Sequence, residues 1–161
     1  MSDASDTYLF DVGVVALAHA DTPVRENALE YVRAAVVGDI DAIVPRAAVV
    51  GAHHVLSSYL GHTNAEASRL LQNLLGARRI HWYEGMTESI VRDGLGRAGD
   101  ANVGGWDGYY AEIARTEGVD TVATIDDDFE RFDGVETEVI LSPEEFDQLN
   151  RFLDSGVSES A

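Results

Sequence analysis

The chain has 161 residues, of which 45% are hydrophobic, and this is enough for one domain with a buried core. It contains no cysteine, which excludes disulfides, thiolate zinc sites and cysteine nucleophiles, and no apolar run approaches the roughly 20 residues that span a bilayer. The first six residues are acidic and lack a basic leader, so we expect no signal peptide and a cytoplasmic protein.

The charge balance is the strongest signal in the composition. The formal net charge is -18, with 29 acidic residues against 11 basic ones, and every basic residue is an arginine. This charge would ordinarily oppose nucleic-acid binding, but the acid is spread along the whole chain, and at ~1 M salt the Debye length is only about 3 Å. We therefore interpret the charge as a sign of an extreme halophile rather than of a partner. The alternative is an acidic protein from an ordinary cytoplasm, and the absence of lysine favours the halophile.

In chain order, apolar runs with the length and bulk of buried strands alternate with segments of helical periodicity. The predicted strands are residues 8–10, 42–44, 79–83, 119–125 and 138–141. The predicted helices are residues 14–18, 22–37, 46–60, 63–75, 87–95, 106–117 and 142–153.

Capping signals set several of these helix boundaries. Thr22 followed by proline predicts a helix start, and Gly38 predicts the end of the same helix. Capping boxes begin at Thr63 and at Ser142, each with a glutamate three residues later. After residue 153 the chain is small and polar, and we expect a disordered tail over residues 154–161.

Strands that alternate with helices predict an α/β fold, a three-layer α/β/α sandwich with a five-stranded, mainly parallel sheet of Rossmann-like type. We expect one domain over residues 7–141, with the helix of residues 142–153 packed on it. In such folds the carboxyl ends of strands and the amino ends of helices share one edge, where ligands bind.

Four aspartates are predicted to lie at that edge. Asp11 ends the first strand, Asp107 is in the first turn of a helix, and Asp126 and Asp128 follow the fourth strand. Carboxylates brought together repel unless a cation neutralises them, and sites with only oxygen ligands favour Mg²⁺ or Mn²⁺. Each aspartate also has a simpler explanation, since Asp107 could oppose the helix dipole and Asp126 could cap a turn.

These segments resemble the PIN domain family. The resemblance rests on Tyr-Leu-Phe-Asp-Val-Gly-Val-Val around Asp11, Gly-Trp-Asp-Gly-Tyr-Tyr-Ala-Glu-Ile-Ala around Asp107, and Thr-Ile-Asp-Asp-Asp-Phe from Thr124 onward. It implies that Asp11, Asp107 and Asp126 are catalytic metal ligands. It also implies that Asp128 is an auxiliary acid at the metal and that the Thr124 hydroxyl orients Asp11.

The resemblance implies a metal-dependent endoribonuclease that uses Mg²⁺ or Mn²⁺ to hydrolyse RNA phosphodiester bonds. It further implies the toxin of a toxin–antitoxin pair, with an antitoxin protein as partner and a homodimer as the assembly.

The sequence departs from the family pattern at two positions. A glutamate usual on the helix after the second strand is missing, and Gly51 stands there; a polar residue usual two positions after the first aspartate is replaced by Gly13. Restoring an acid by Gly51→Glu should tighten metal binding if the helix has room. His53 or His54 could offer a substitute ligand, although adjacent helical residues point about 100° apart and a surface or packed role is more common.

Two other readings stay open. A phosphotransfer fold of the haloacid dehalogenase or receiver type also places an aspartate after the first strand, but both commonly use a lysine, which this chain lacks. A catalytically impaired PIN-like domain that binds RNA or protein is the alternative in a different class, and the missing glutamate favours it. Arginines in the middle of the chain could contact RNA or pair with surface acid: Arg46, Arg69, Arg78, Arg79, Arg92 and Arg97.

The halophile interpretation predicts folding that depends on ionic strength. Because self-repulsion destabilises the compact state when screening is removed, the melting temperature should rise from low to molar KCl. Thermal unfolding followed by circular dichroism measures this, and a melting temperature that stays flat or falls would contradict the interpretation.

Overall fold

The computed structural model describes residues 7–159 and contains an α/β fold around a five-stranded sheet. The strand order is β3-β2-β1-β4-β5, and every pairing is parallel, so the predicted mainly parallel sheet is confirmed. The strands are β1 Thr7–Phe10, β2 Asp41–Pro45, β3 His81–Tyr83, β4 Thr121–Thr124 and β5 Glu136–Val139.

Helices connect these strands and cover both faces of the sheet. Within residues 7–159 they are α1 Val12–His19, α2 Arg25–Val37, α3 Arg46–Ser58, α4 Asn64–Leu75, α5 Glu88–Ala101, α6 Gly105–Glu117 and α7 Pro143–Glu159, with a 3₁₀ turn at Asp128–Arg131. None of the described helices combines the length and apolarity needed to cross a bilayer.

The central strand shows why its sequence is apolar throughout. Tyr8 and Phe10 pack into one hydrophobic cluster with residues of α1 and α2, while Leu9 packs into a second cluster with residues of α6. Successive side chains of a strand point to opposite faces, so a strand buried on both faces has no polar position. The two clusters form the core on either side of the sheet.

The predicted start of α2 is wrong by a few residues. The helix begins at Arg25, and Thr22 supplies no side-chain cap. Instead the Thr22 carbonyl accepts a hydrogen bond from the Arg25 amide at 3.3 Å, which closes a turn, and Val24 is buried in the core. The predicted end is correct, since Gly38 adopts the left-handed conformation with φ 87°.

The other capping predictions agree with the structure. Thr63 and Glu66 form a complete capping box at α4. The Glu145 amide donates to the Ser142 hydroxyl, and the Ser142 amide donates to the Glu145 carboxylate, at 3.2 and 2.8 Å.

The terminal helix is longer than the sequence predicted. Helix α7 continues to Glu159, and the expectation of disorder over residues 154–161 stays a prediction. No proline stops it after residue 153, and extending an existing helix costs less than starting one. Residues 1–6 and 160–161 lie outside the described residues, and so does the expectation about a signal peptide.

Helices α5 and α6 approach each other closely through two glycines. A Cβ added to Gly108 would lie 2.1 Å from the Gly94 carbonyl oxygen and 2.8 Å from the Ala98 Cβ. The backbones can therefore touch only because both glycines lack side chains. This contact places the first turn of α6, which carries Asp107.

We predict that Gly108→Ala destabilises the fold by roughly 1–3 kcal/mol or more, because backbone atoms of α5 must move. Gly96→Ala is the matched control: it lies on α5, and an added Cβ would meet nothing within 4 Å. That control should gain about 0.5–1 kcal/mol from helix propensity. Urea unfolding of both variants decides the matter, and equal stabilities would refute the close-contact account.

Candidate functional site

Asp11 is the most constrained acid at the carboxyl edge of the sheet. It follows β1 and caps α1, and its Oδ1 accepts from the Val14 amide at 3.1 Å. Its Oδ2 accepts from the Thr124 hydroxyl at 2.7 Å, across the β1–β4 pair. The carboxylate is 7% exposed and Thr124 is fully buried, so the side chain has little freedom. The contact implied by the resemblance is present, and its role in a reaction stays a prediction.

Three further aspartates lie at the same edge. Asp107 is in the first turn of α6, and Asp126 follows β4. Asp128 begins the 3₁₀ turn, and its amide donates to Asp126 Oδ1 at 3.0 Å. Asp126 and Asp107 both act electrostatically on Asp11, and Asp128 acts on Asp107 and Asp126. The fold thus brings together acids from three separate segments.

Burial makes these carboxylates hard to ionise. It raises the pKa of Asp11 to about 7, with smaller contributions from Asp126 and Asp107, although the Thr124 and Val14 hydrogen bonds oppose the rise. Burial also raises the pKa of Asp107 to about 6, and Asp126 and Asp128 add to it. The pKa of Asp126 rises as well, mainly through burial. Acids with shifted pKa values in one place are typical of a functional site.

The donor set fits a hydrated divalent cation better than a fully liganded one. No three histidine, aspartate or glutamate side chains within residues 7–155 are grouped tightly enough to hold a metal ion together. Mg²⁺ often takes only one or two carboxylates and keeps several waters, so the remaining acids can act through water. Buried carboxylate oxygens suit such an ion.

The position of the missing glutamate borders Asp11. A Cβ added to Gly51 would lie 2.5 Å from Val12 Cγ2, on the residue that directly follows Asp11. The helix therefore has room for Gly51→Glu only if Val12 moves. Gly13 is similarly close to the site, because an added Cβ would lie 3.0 Å from Ile125 and 3.4 Å from Asp11 Oδ1.

Both histidines of α3 contact serine hydroxyls. His53 Nε2 lies 3.1 Å from the Ser68 hydroxyl on α4, and His54 Nδ1 lies 3.2 Å from the Ser58 hydroxyl. The His54 ring also packs edge-on against Tyr59. These contacts agree with the packing role.

Several arginines pair with the protein's own acids. Arg97 and Arg115 both bind Glu112, at 2.7 and 2.8 Å, and this carboxylate is only 2% exposed. Arg46 pairs with Glu84 and Arg92 with Glu88. Of the six arginines considered for RNA, these pairs engage three. The Glu112 network, which joins α5 to α6, was not recognised from the sequence.

A second residue near the site that the sequence did not single out is Tyr110. It is 1% exposed, and Asp11 and Asp107 both raise the pKa of its hydroxyl after the main effect of burial. It lies three residues after Asp107 on α6, and residues at that spacing share a helix face. That spacing is the signal that could have placed it beside the site.

Concave surfaces flank the acidic edge. One, of about 440 Å³, is lined by Asp126 and Asp127 together with Phe146 and Asp147 of α7. Another, of about 290 Å³, is lined by apolar side chains and by Trp106, which is 50% exposed and precedes Asp107. The first concavity gives a ligand access to Asp126.

No protein-family model and no curated protein matches the sequence. Solved structures do match the fold, and they are PIN-domain toxins and related PIN proteins. VapC20 of Mycobacterium tuberculosis, a Sarcin-Ricin loop cleaving toxin, has TM-score 0.63 and 14% identity over 80% of this chain and 97% of its own. VapBC2 of Rickettsia felis, bound to a DNA fragment from their promoter, has TM-score 0.62 and 12% identity over 82% and 97%.

FitAcB of Neisseria gonorrhoeae has TM-score 0.55 and 20% identity over 81% of this chain and 95% of its own. At these identities the similarity shows the fold, and the predicted PIN-like fold is confirmed.

The raised pKa of Asp11 predicts an unusual dependence of stability on pH in the metal-free protein. Between its ordinary value of 3.8 and about 7, the folded chain keeps a proton that the unfolded chain has released. The free energy of unfolding should therefore fall as pH rises through this window and level off above it. Asp11→Asn cannot titrate, so its melting temperature should fall less between about pH 5 and about pH 8. Thermal unfolding in molar KCl and a chelator tests this. Plots of melting temperature against pH that run parallel for the wild type and Asp11→Asn would contradict it.

Proposed function

We propose that this chain is a metal-dependent endoribonuclease of the PIN type, the toxin of a toxin–antitoxin pair. The observation that carries the proposal is the buried Asp11 carboxylate, held by Thr124 and Val14 while Asp107 and Asp126 act on it electrostatically. Such a site is costly in an empty state and is relieved by a divalent cation. The fold shared with the solved toxins supports the same reading.

The chain's own residues would prepare the site for hydrolysis. Asp11 and Asp126 would hold the cation directly, and Asp107 and the auxiliary acid Asp128 would act on it through water. Thr124 keeps one Asp11 oxygen in place through its hydroxyl. A bound Mg²⁺ or Mn²⁺ would polarise water and neutralise charge at the phosphodiester.

RNA and an antitoxin protein are the partners that this function implies, and a homodimer is the proposed assembly. Among the solved structures, VapC20 is a Sarcin-Ricin loop cleaving toxin, and VapBC2 is bound to a fragment of promoter DNA. Molar salt would screen the net charge of -18 from the RNA backbone. The exposed Trp106 beside Asp107 gives an unpaired base a surface for stacking.

A non-catalytic PIN-like module that binds RNA or protein is the second candidate. Gly51 packs against Val12 where the family has an acid, and the described acids form no ready-made coordination sphere. Both observations favour weak metal binding. An activity assay with metal titration separates this candidate from the enzyme.

We predict slow cleavage of single-stranded RNA that requires Mn²⁺ or Mg²⁺ at millimolar concentration. Asp11→Asn and Asp126→Asn should each lower the rate by about 100-fold or more, because each removes a charged ligand. Asp120→Asn is a charge-matched control, since Asp120 precedes β4 at the opposite end of the strand. Gel assays of RNA cleavage and calorimetric metal titration provide the measurements.

If the wild type cleaves RNA no faster than Asp11→Asn and calorimetry shows no metal binding, the nuclease proposal is rejected. The binding module would then be the better account.

A further inference from the structure

Tyr110 carries a buried hydroxyl whose proton has no acceptor in the described part of the chain. Its side chain is 1% exposed, and no described group accepts its proton. Buried polar groups are nearly always paired, so an orphan of this kind needs an explanation. Phenylalanine would fill the same space without this cost.

The hydroxyl lies near the acidic site. Asp11 and Asp107 both interact with it electrostatically and raise its pKa, while a hydrogen bond from the Val12 amide lowers the pKa. An amide N–H can only donate, so it leaves the tyrosine proton without an acceptor. With its pKa raised by burial, the hydroxyl stays protonated and is a donor beside two carboxylates.

The ring has a fixed position. Trp106 stacks on Tyr110 with ring centres 5.8 Å apart and an interplanar angle of 26°, and Phe129 contacts it at 6.4 Å. Because Asp107 lies one helical turn before Tyr110, the two side chains share a face of α6. Because the ring is already fixed, the Tyr110 side chain loses little conformational entropy when its hydroxyl donates a hydrogen bond.

We propose that Tyr110 is a positioning residue of the acidic site. Its hydroxyl donates to a water molecule that Asp11 and Asp107 also bind, and this water belongs to the shell of the divalent cation. The proposal rests on the metal site of the proposed function. It explains why a hydroxyl is buried where no protein group accepts its proton.

Tyr110→Phe tests the proposal, with Tyr109→Phe as the matched control. The neighbouring Tyr109 hydroxyl donates to the Gly85 carbonyl at 2.9 Å, so its loss breaks an existing hydrogen bond. In the metal-free protein, Tyr110→Phe should melt at or above the wild-type temperature, whereas Tyr109→Phe should melt lower. For Mn²⁺, calorimetry should show about 10-fold weaker binding by Tyr110→Phe and wild-type binding by Tyr109→Phe.

The outcomes separate the two proposals. If the wild type binds Mn²⁺ and Tyr110→Phe binds it with the same affinity, the role of Tyr110 is overturned and the metal site stands. A lower melting temperature of metal-free Tyr110→Phe means that the hydroxyl has a structural partner, and this also overturns the role. No Mn²⁺ binding by the wild type overturns the metal site itself, and the role of Tyr110 with it.

Discussion

The hydrogen bond from Thr124 to Asp11 joins the two central strands at the edge where the acids lie. It is 2.7 Å long, lies fully inside the protein, and holds a carboxylate that burial makes reluctant to ionise. The same strand pair aligns Phe10 with Ala123, so the residues that follow each strand emerge side by side. Asp11 and Asp126 are neighbours because β1 and β4 are parallel and adjacent.

The third segment of the site depends on helix packing rather than on the sheet. Gly94 and Gly108 let α5 and α6 touch, and the Glu112 carboxylate ties α6 to Arg97 of α5. This fixes the first turn of α6, so Asp107 and Tyr110 reach the site together. The buried ion pair between Arg97 and Glu112 thus holds in place the helix that carries the half-buried Asp107.

One side of the site is apolar where the family pattern has an acid. Gly51 contacts Val12, and the histidines that follow it bind side chains on α3 and α4. A hydrated ion at this site would need water in place of the missing carboxylate. Weak binding would be tolerable in a cell that holds the ion at millimolar concentration, and the reaction would then depend on Asp11, Asp107 and Asp126.

The sequence by itself determined the strands, most helix caps and the edge at which the aspartates lie, because these follow from local periodicity and capping chemistry. It misplaced two helix ends. Thr22 closes a turn beside the buried Val24 instead of capping α2, and α7 continues beyond residue 153. Only the tertiary structure decided that an acid at Gly51 requires Val12 to move and that the Tyr110 hydroxyl lies near Asp11. Both depend on contacts between α-helices that are far apart in sequence, and periodicity carries no information about such pairs.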